Sequence, residues 1–197
     1  MKDTLDTSGT ALLLELAHAL NRNGWAPTDI KWLTEGERLA TILPVARGCG
    51  KVQIITHFID LAADPFIPSG LTLEKHTPGV SQFEWNPAKV RLHLSENQKD
   101  GKSIEGNKLR KELATESPFN ANLLDYLVDH PDLIPEDWKK DADGNTRYIY
   151  FWGTIFRYAD DDLCVRCLCW GDDGWCVDYG WLNSRWSSSD PAACLAK

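Results

Sequence analysis

Residues 141 to 196 contain no Lys, Glu, Gln or Met, whereas residues 1 to 140 contain eleven Lys, ten Glu, three Gln and one Met. At the earlier rate, 25 in 140 residues, the later 56 residues would hold 10. A strand-rich composition lowers Glu and Lys without erasing them, so something restricts which residues this end uses. Other absences exclude function classes. The longest apolar run, around "ALLLELAHAL", carries Glu15 and His18 and is too short for a bilayer, so no membrane insertion is expected. Basic runs are missing too, and the net charge is -8. Phosphate binding needs a clustered cationic face, which argues against nucleic acid as a partner. The nearest candidate, "NKLRKEL" with Lys108, Arg110 and Lys111, reads as the solvated face of a helix. "MKDTLDTSGT" lacks the basic start and cleavage site of a signal peptide, so the expected location is the cytoplasm or a phage particle.

Catalytic signatures are also missing. There is no P-loop spacing, dinucleotide fingerprint, HExxH or serine elbow, and His18, His57, His76, His93 and His130 are scattered. The expectation is a protein that is not an enzyme and holds no cofactor. The six cysteines are Cys49, Cys164, Cys167, Cys169, Cys176 and Cys194. With no secretory signal, free thiols are the default. The CxxC in "CVRCLC" has no second pair, and on a strand Cys164 and Cys167 point to opposite faces, so no metal site is expected. Buried thiols packing as small hydrophobes fit better. Cys49 in "RGCGK" lies between two glycines and reads as a tight turn.

What is present fits an ordinary globular chain, with 43% hydrophobic and 25% charged residues over 197 positions. The expected fold class is α+β, with helices and short strands first and an antiparallel β-meander last. Helices are expected near 10–23, 105–115 and 120–128, the last with Asn120 as N-cap, and a further helical piece over "TDIKWLTEGERLATILPV" ending before Pro44. "VQIITHFID" and "VRLHL" read as strands. Residues 1–140 thus form a scaffold segment. Residues 141–197 form a Trp-rich sheet of three strands, "RYIYFWGTIFRY", "LCVRCLCW" and "WCVDYGWL", and the two segments are compatible with one compact unit.

Two acidic motifs need weighing. "DADGN", Asp141 to Asn145, opens like a calcium loop, but the twelfth position is Trp152, so a turn is the reading. Asp160, Asp161 and Asp162 sit at an expected hairpin tip. Together with Asp172 and Asp173 they keep one alternative open, an enzyme with an acidic, metal-assisted site.

The segment "WCVDYGWLNSRWSSSDPAA" combines heavy anchors with small polar residues. Alternation on a strand puts Trp175, Val177, Tyr179 and Trp181 on one side, which must be buried, and Cys176, Asp178 and Gly180 on the other, facing water. Beyond Leu182, Trp186 is a further anchor. Trp152, Trp170, Trp175, Tyr179, Trp181 and Trp186 are the scaffold anchors of this reading. A fixed aromatic base with adaptable neighbours is the division of labour of a binding surface.

The string from Arg147 to Lys197, with "DPFIPSG", "FEWNPAKV", "LSENQKDGKSIEGNKLRKEL" and "NANLLDYLVDHPDLIPEDWK" upstream, resembles a family of uncharacterised bacterial proteins. These have Trp-anchored tails of the kind diversified by diversity-generating retroelements. That resemblance implies miscopying of template adenines, mostly in AAC or AAT codons, which reach Asn, Asp, Ser, Gly, Arg, Cys, Tyr, His or Val but never Lys, Glu, Gln or Met. Tryptophan's codon has no adenine. The variable ligand-binding region is then 171–190, with Gly171, Asp172, Asp173, Gly174, Cys176, Asp178, Gly180, Asn183, Ser184, Arg185, Ser187, Ser188, Ser189 and Asp190 as its candidate positions. Cys194 is also in the reachable set. The resemblance further implies a C-type-lectin-like fold, although this chain lacks that fold's Gly-Gly-Ser-Trp run and closing Gly-Phe-Arg. The implied function is display of a diversified surface to an unknown protein or surface ligand. A host or phage interaction module of fixed specificity is the remaining alternative.

Overall fold

The computed structural model describes residues 10–50, 55–171 and 174–196. The chain divides into two compact units, residues 1–55 and 56–197. Among its described residues the first holds three helices, α1 (Thr10–Arg22), α2 (Pro27–Thr34) and α3 (Arg38–Ala46). Gly24, at φ +79°, follows α1 in the left-handed conformation that favours glycine. The single helix expected before Pro44 is two helices, because the chain turns at Gly36 (φ +60°) and α3 carries Pro44 inside it. Arg38 ties the pieces, its guanidinium 4.4 Å from the Trp32 ring centroid and donating to the Trp32 carbonyl at 2.8 Å. No residue of α2 or α3 is buried.

The second unit is built on a seven-stranded sheet. Its strands are β2 (Thr72–His76), β4 (Val90–His93), β6 (Tyr148–Tyr150), β7 (Thr154–Arg157), β8 (Leu163–Gly171), β9 (Gly174–Trp181) and β11 (Ala192–Leu195). Two small ribbons join β1 (Phe58–Ile59) to β3 (Phe83–Glu84) and β5 (Ile104–Glu105) to β10 (Arg185–Trp186). The architecture is α+β. The sheet is mixed rather than wholly antiparallel, since β11 runs parallel to β6 while pairing antiparallel with β4. Of the strand expected over "VQIITHFID", β1 is the observed part, and residues 52–54 lie outside the described residues.

"RYIYFWGTIFRY" is two strands instead of one. Tyr150 faces Cys167 and Phe156 faces Cys164, so six steps along β6 and β7 match three along β8. The sheet forks at this break, with β7 passing to β2 and β6 to β11. The cause is tertiary. Gly153 lies so near the start of α5 (Ala121–Asp129) that a Cβ would meet the Asn120 backbone at 2.8 Å. Asn120 precedes that helix but its side chain does not cap it. It donates to the carbonyls of Leu61 (2.7 Å) and Thr77 (3.1 Å), and Thr154 Oγ1 accepts the Ala121 N–H instead.

Both faces of the sheet are covered. Leu123, Leu124 and Leu127 of α5 pack on Ile149, Phe151 and Leu168, while Leu109 and Leu113 of α4 (Gly106–Leu113) pack on Tyr150, Val165, Cys167 and Trp186. Each of these leucines is essentially fully buried, worth about 1.5–3 kcal/mol apiece relative to exposure. Among the described residues no helix is long and apolar enough to cross a membrane.

Candidate ligand-binding surface

Strand β9 pairs with β8 over its whole length, from Cys164 opposite Trp181 to Gly171 opposite Gly174. The alternation separates its side chains. Trp175 and Val177 pack towards α5, and Tyr179 and Trp181 sit against the cluster of Leu71, Phe156 and Cys164. On the other face Cys176 and Asp178 are exposed. Gly180 shares that face but is half-buried, because Trp186 and Tyr150 lie over the space a side chain there would take. The anchors are buried to different degrees. Trp152 and Trp186 are buried, whereas Trp170, Trp175, Tyr179 and Trp181 are half-buried. Trp186 sits 4.2 Å from the Tyr150 ring and 4.7 Å from that of Trp152. Trp170 meets Trp175 edge-on, with Lys139 Nζ 3.6 Å from the Trp170 ring centroid.

The following segment is held by its main chain. Gly106 N–H donates to the Ser184 carbonyl and Asn107 N–H to that of Leu182. The unpaired first turn of α4 is thus satisfied by this loop rather than by solvent. Gln98, 1% exposed, donates through Nε2 to the carbonyls of Ser187 (2.8 Å) and Asp190 (3.0 Å). Tyr148 and Tyr150 N–H groups take those of Ser189 and Pro191, and Arg185–Trp186 forms the β10 ladder with β5. Backbone bonds of this sort do not depend on which side chains the loop carries.

Those side chains fall into distinct groups. Asn183, Ser184, Arg185 and Ser188 are exposed, as are Cys176 and Asp178 on β9. Asn183 Nδ2 donates to Asp162 Oδ1, and Arg185 donates to Ser103 Oγ (2.7 Å) and to its carbonyl (2.5 Å). Ser187 and Asp190 are structural. Asp190 Oδ2 accepts from Ser187 N–H at 2.6 Å and Oγ–H at 2.9 Å, and burial raises its carboxyl above the usual 3.8. Ser189 is half-buried and reaches Asp141 Oδ2. Gly171 and Gly174 close the β8–β9 hairpin, and Asp172 and Asp173 lie outside the described residues.

Two hollows flank the loop. A cleft of about 610 Å³ is lined by Lys102, Ser103, Glu105, Lys108, Glu112 and Arg185. A smaller one of about 230 Å³ includes Leu92, Asp141, Arg147, Ser188 and Pro191. Glu112 is already engaged by Ser95 and Asn97, and Glu105 by Asn107. The exposed positions therefore border recesses whose walls come from residues outside the loop. None of Gln98, Ser103, Gly106 or Asn107 stood out in the sequence.

The ends of β8 that border the acidic motifs in sequence are far apart. Asp160–Asp162 precede β8 and Asp172–Asp173 follow it, so their flanking residues Leu163 and Gly171 are about 26 Å apart at the rise of a strand. Asp161 takes a left-handed turn conformation (φ 68°) and accepts from Arg157. Asp141 Oδ1 accepts from the N–H groups of Asp143 and Asn145 within its own turn. Among the described residues no group of three or more His, Cys, Asp or Glu is arranged to hold a metal ion. Comparison with protein-family models, curated proteins and solved structures finds no match for this chain.

Proposed function

We propose that the protein is a non-enzymatic ligand-binding protein whose specificity is carried by Cys176, Asp178, Asn183, Ser184, Arg185 and Ser188, on a surface diversified by a retroelement. The observation that carries this reading is the main-chain fastening of the 182–191 segment. Its carbonyls are held by Gln98, Gly106, Asn107, Tyr148 and Tyr150, so exposed side chains can change without releasing the loop. Preorganised loops on a rigid base lower the ordering cost of binding. The composition break supports the same reading, because the excluded residue types are those that adenine miscopying cannot reach. The ligand is a protein or another surface ligand rather than nucleic acid, in keeping with the net charge of -8. It is met in the cytoplasm or on a phage particle. The reading does not depend on a C-type-lectin-like fold.

Sequencing the surroundings of the gene tests it. A reverse transcriptase gene and a near-copy of the 3' end are expected close by, with mismatches at adenines of the codons for the six exposed residues. A neighbourhood without such a copy, or mismatches spread evenly over exposed and buried positions, would leave a module of fixed specificity instead.

A further inference from the structure

Cys169 on β8 and Cys176 on β9 are directly opposed partners in the hairpin. Opposed Cα atoms in an antiparallel ladder lie about 4.5–5.5 Å apart, inside the window of roughly 4.4–6.8 Å that a disulfide spans. Both side chains lie on the face that carries Asp178, and their sulfurs are 2.8 Å apart. Cys176 is exposed, which gives a small molecule access to the pair. The four remaining thiols are placed otherwise, and Cys49, though exposed, belongs to the first unit. Cys164 lies on the opposite face of the sheet, Cys167 faces Asp178 across the ladder, is buried and only hydrogen-bonds to Cys169 along β8, and Cys194 is buried on β11.

We propose that Cys169 and Cys176 are a reversible dithiol–disulfide pair, closed by thiol–disulfide exchange with a low-molecular-weight disulfide. The reaction balances as follows. The step is written for a pair that holds one proton: a hydrogen bond from Cys167, with another from Cys176, lowers Cys169, while burial raises Cys176. That proton passes from Cys176 to Cys169 across the sulfur contact, and the exposed Cys176 sulfur attacks one sulfur of the small disulfide, expelling a thiolate. Cys169 gives its proton to that thiolate and attacks Cys176 Sγ, expelling the second. Two cysteine sulfurs are oxidised by two electrons, and the small disulfide is reduced to one thiol and one thiolate. Closure removes the Cys176 thiol from the exposed surface and staples β8 to β9 beside Asp178.

The test uses the full chain incubated with oxidised glutathione, quenched with acid, denatured and alkylated. Intact mass should show the loss of two hydrogens, with four of the six thiols still alkylated. Dithiothreitol should restore all six. The loss should persist in Cys167→Ser and vanish in both Cys169→Ser and Cys176→Ser, with circular dichroism confirming that each variant folds. A wild-type protein that gives only glutathione adducts or six free thiols would overturn the proposal, without reference to any variant. So would a loss of two hydrogens that survives either Cys169→Ser or Cys176→Ser.

Discussion

Trp186 closes on Gly180 so tightly that a Cβ there would lie 2.5 Å from the indole Cη2, and 2.6 Å from Cε1 of Tyr150. Gly180 belongs to the adenine-reachable set by residue type, but its place under two buried rings removes it from the tolerant positions. Gly180→Ser is expected to cost about 1–3 kcal/mol as overpacking. Asp178→Ser, two residues away and exposed, should change stability by under about 0.5 kcal/mol. Urea titration measures both, and equal effects would mean that Trp186 and Tyr150 leave room for a side chain at position 180.

The tryptophans should divide in the same way. Trp186 is 2% exposed and its Nε1 donates to the Trp181 carbonyl at 3.3 Å. Trp186→Ala should cost about 3–5 kcal/mol. Trp181 is half-buried, with the Tyr158 ring 5.3 Å away. Trp181→Ala should cost less, about 1–3 kcal/mol, as a partly exposed side chain leaves less apolar area to lose. The reverse order in denaturant midpoints would contradict this assignment of the principal anchor.

Much of this architecture was legible because it is local. Periodicity marked α1, α5, β8 and β9, and strand alternation separated Trp175, Val177, Tyr179 and Trp181 from Cys176 and Asp178. The break between β6 and β7 was not legible, since its cause is the approach of Gly153 to Asn120, residues distant in sequence. Alternation places Gly180 on the right face but sees only its own strand, so it misses the cover from Trp186, beyond a turn, and from Tyr150 that leaves Gly180 half-buried. The fastening of the final loop was hidden for the same reason. Gln98, Gly106 and Asn107 act on it from about 80 residues upstream, and no pattern near them signals a partner.

Gln98 offers a direct test of that fastening. Its side chain spans three groups, donating to the Ser187 and Asp190 carbonyls and accepting from Ser95 N–H at 3.1 Å. Gln98→Ala leaves part-buried carbonyls without their donor, which costs about 1–3 kcal/mol. Hydrogen exchange should speed up at the amides of Ser187 and Asp190 more than in the centre of β8. Uniform acceleration across the unit would mean that Gln98 supports the core generally rather than this loop.

Asp190 gives the loop a pH dependence whose sign follows from burial. The carboxyl is raised above 3.8, with desolvation outweighing the two hydrogen bonds from Ser187. A carboxyl raised on folding holds its proton more tightly in the native state. Its stabilising contribution is present below 3.8 and is lost as pH rises through the raised folded value. At neutral pH the ionised group therefore opposes folding relative to a neutral acceptor. Asp190→Asn keeps an acceptor oxygen for Ser187 and cannot ionise. Its melting temperature should equal or exceed that of the native protein at pH 7, and the advantage should shrink as the pH falls towards 3.8. An advantage that grows on acidification would show that the Ser187 hydrogen bonds, not burial, dominate this carboxylate.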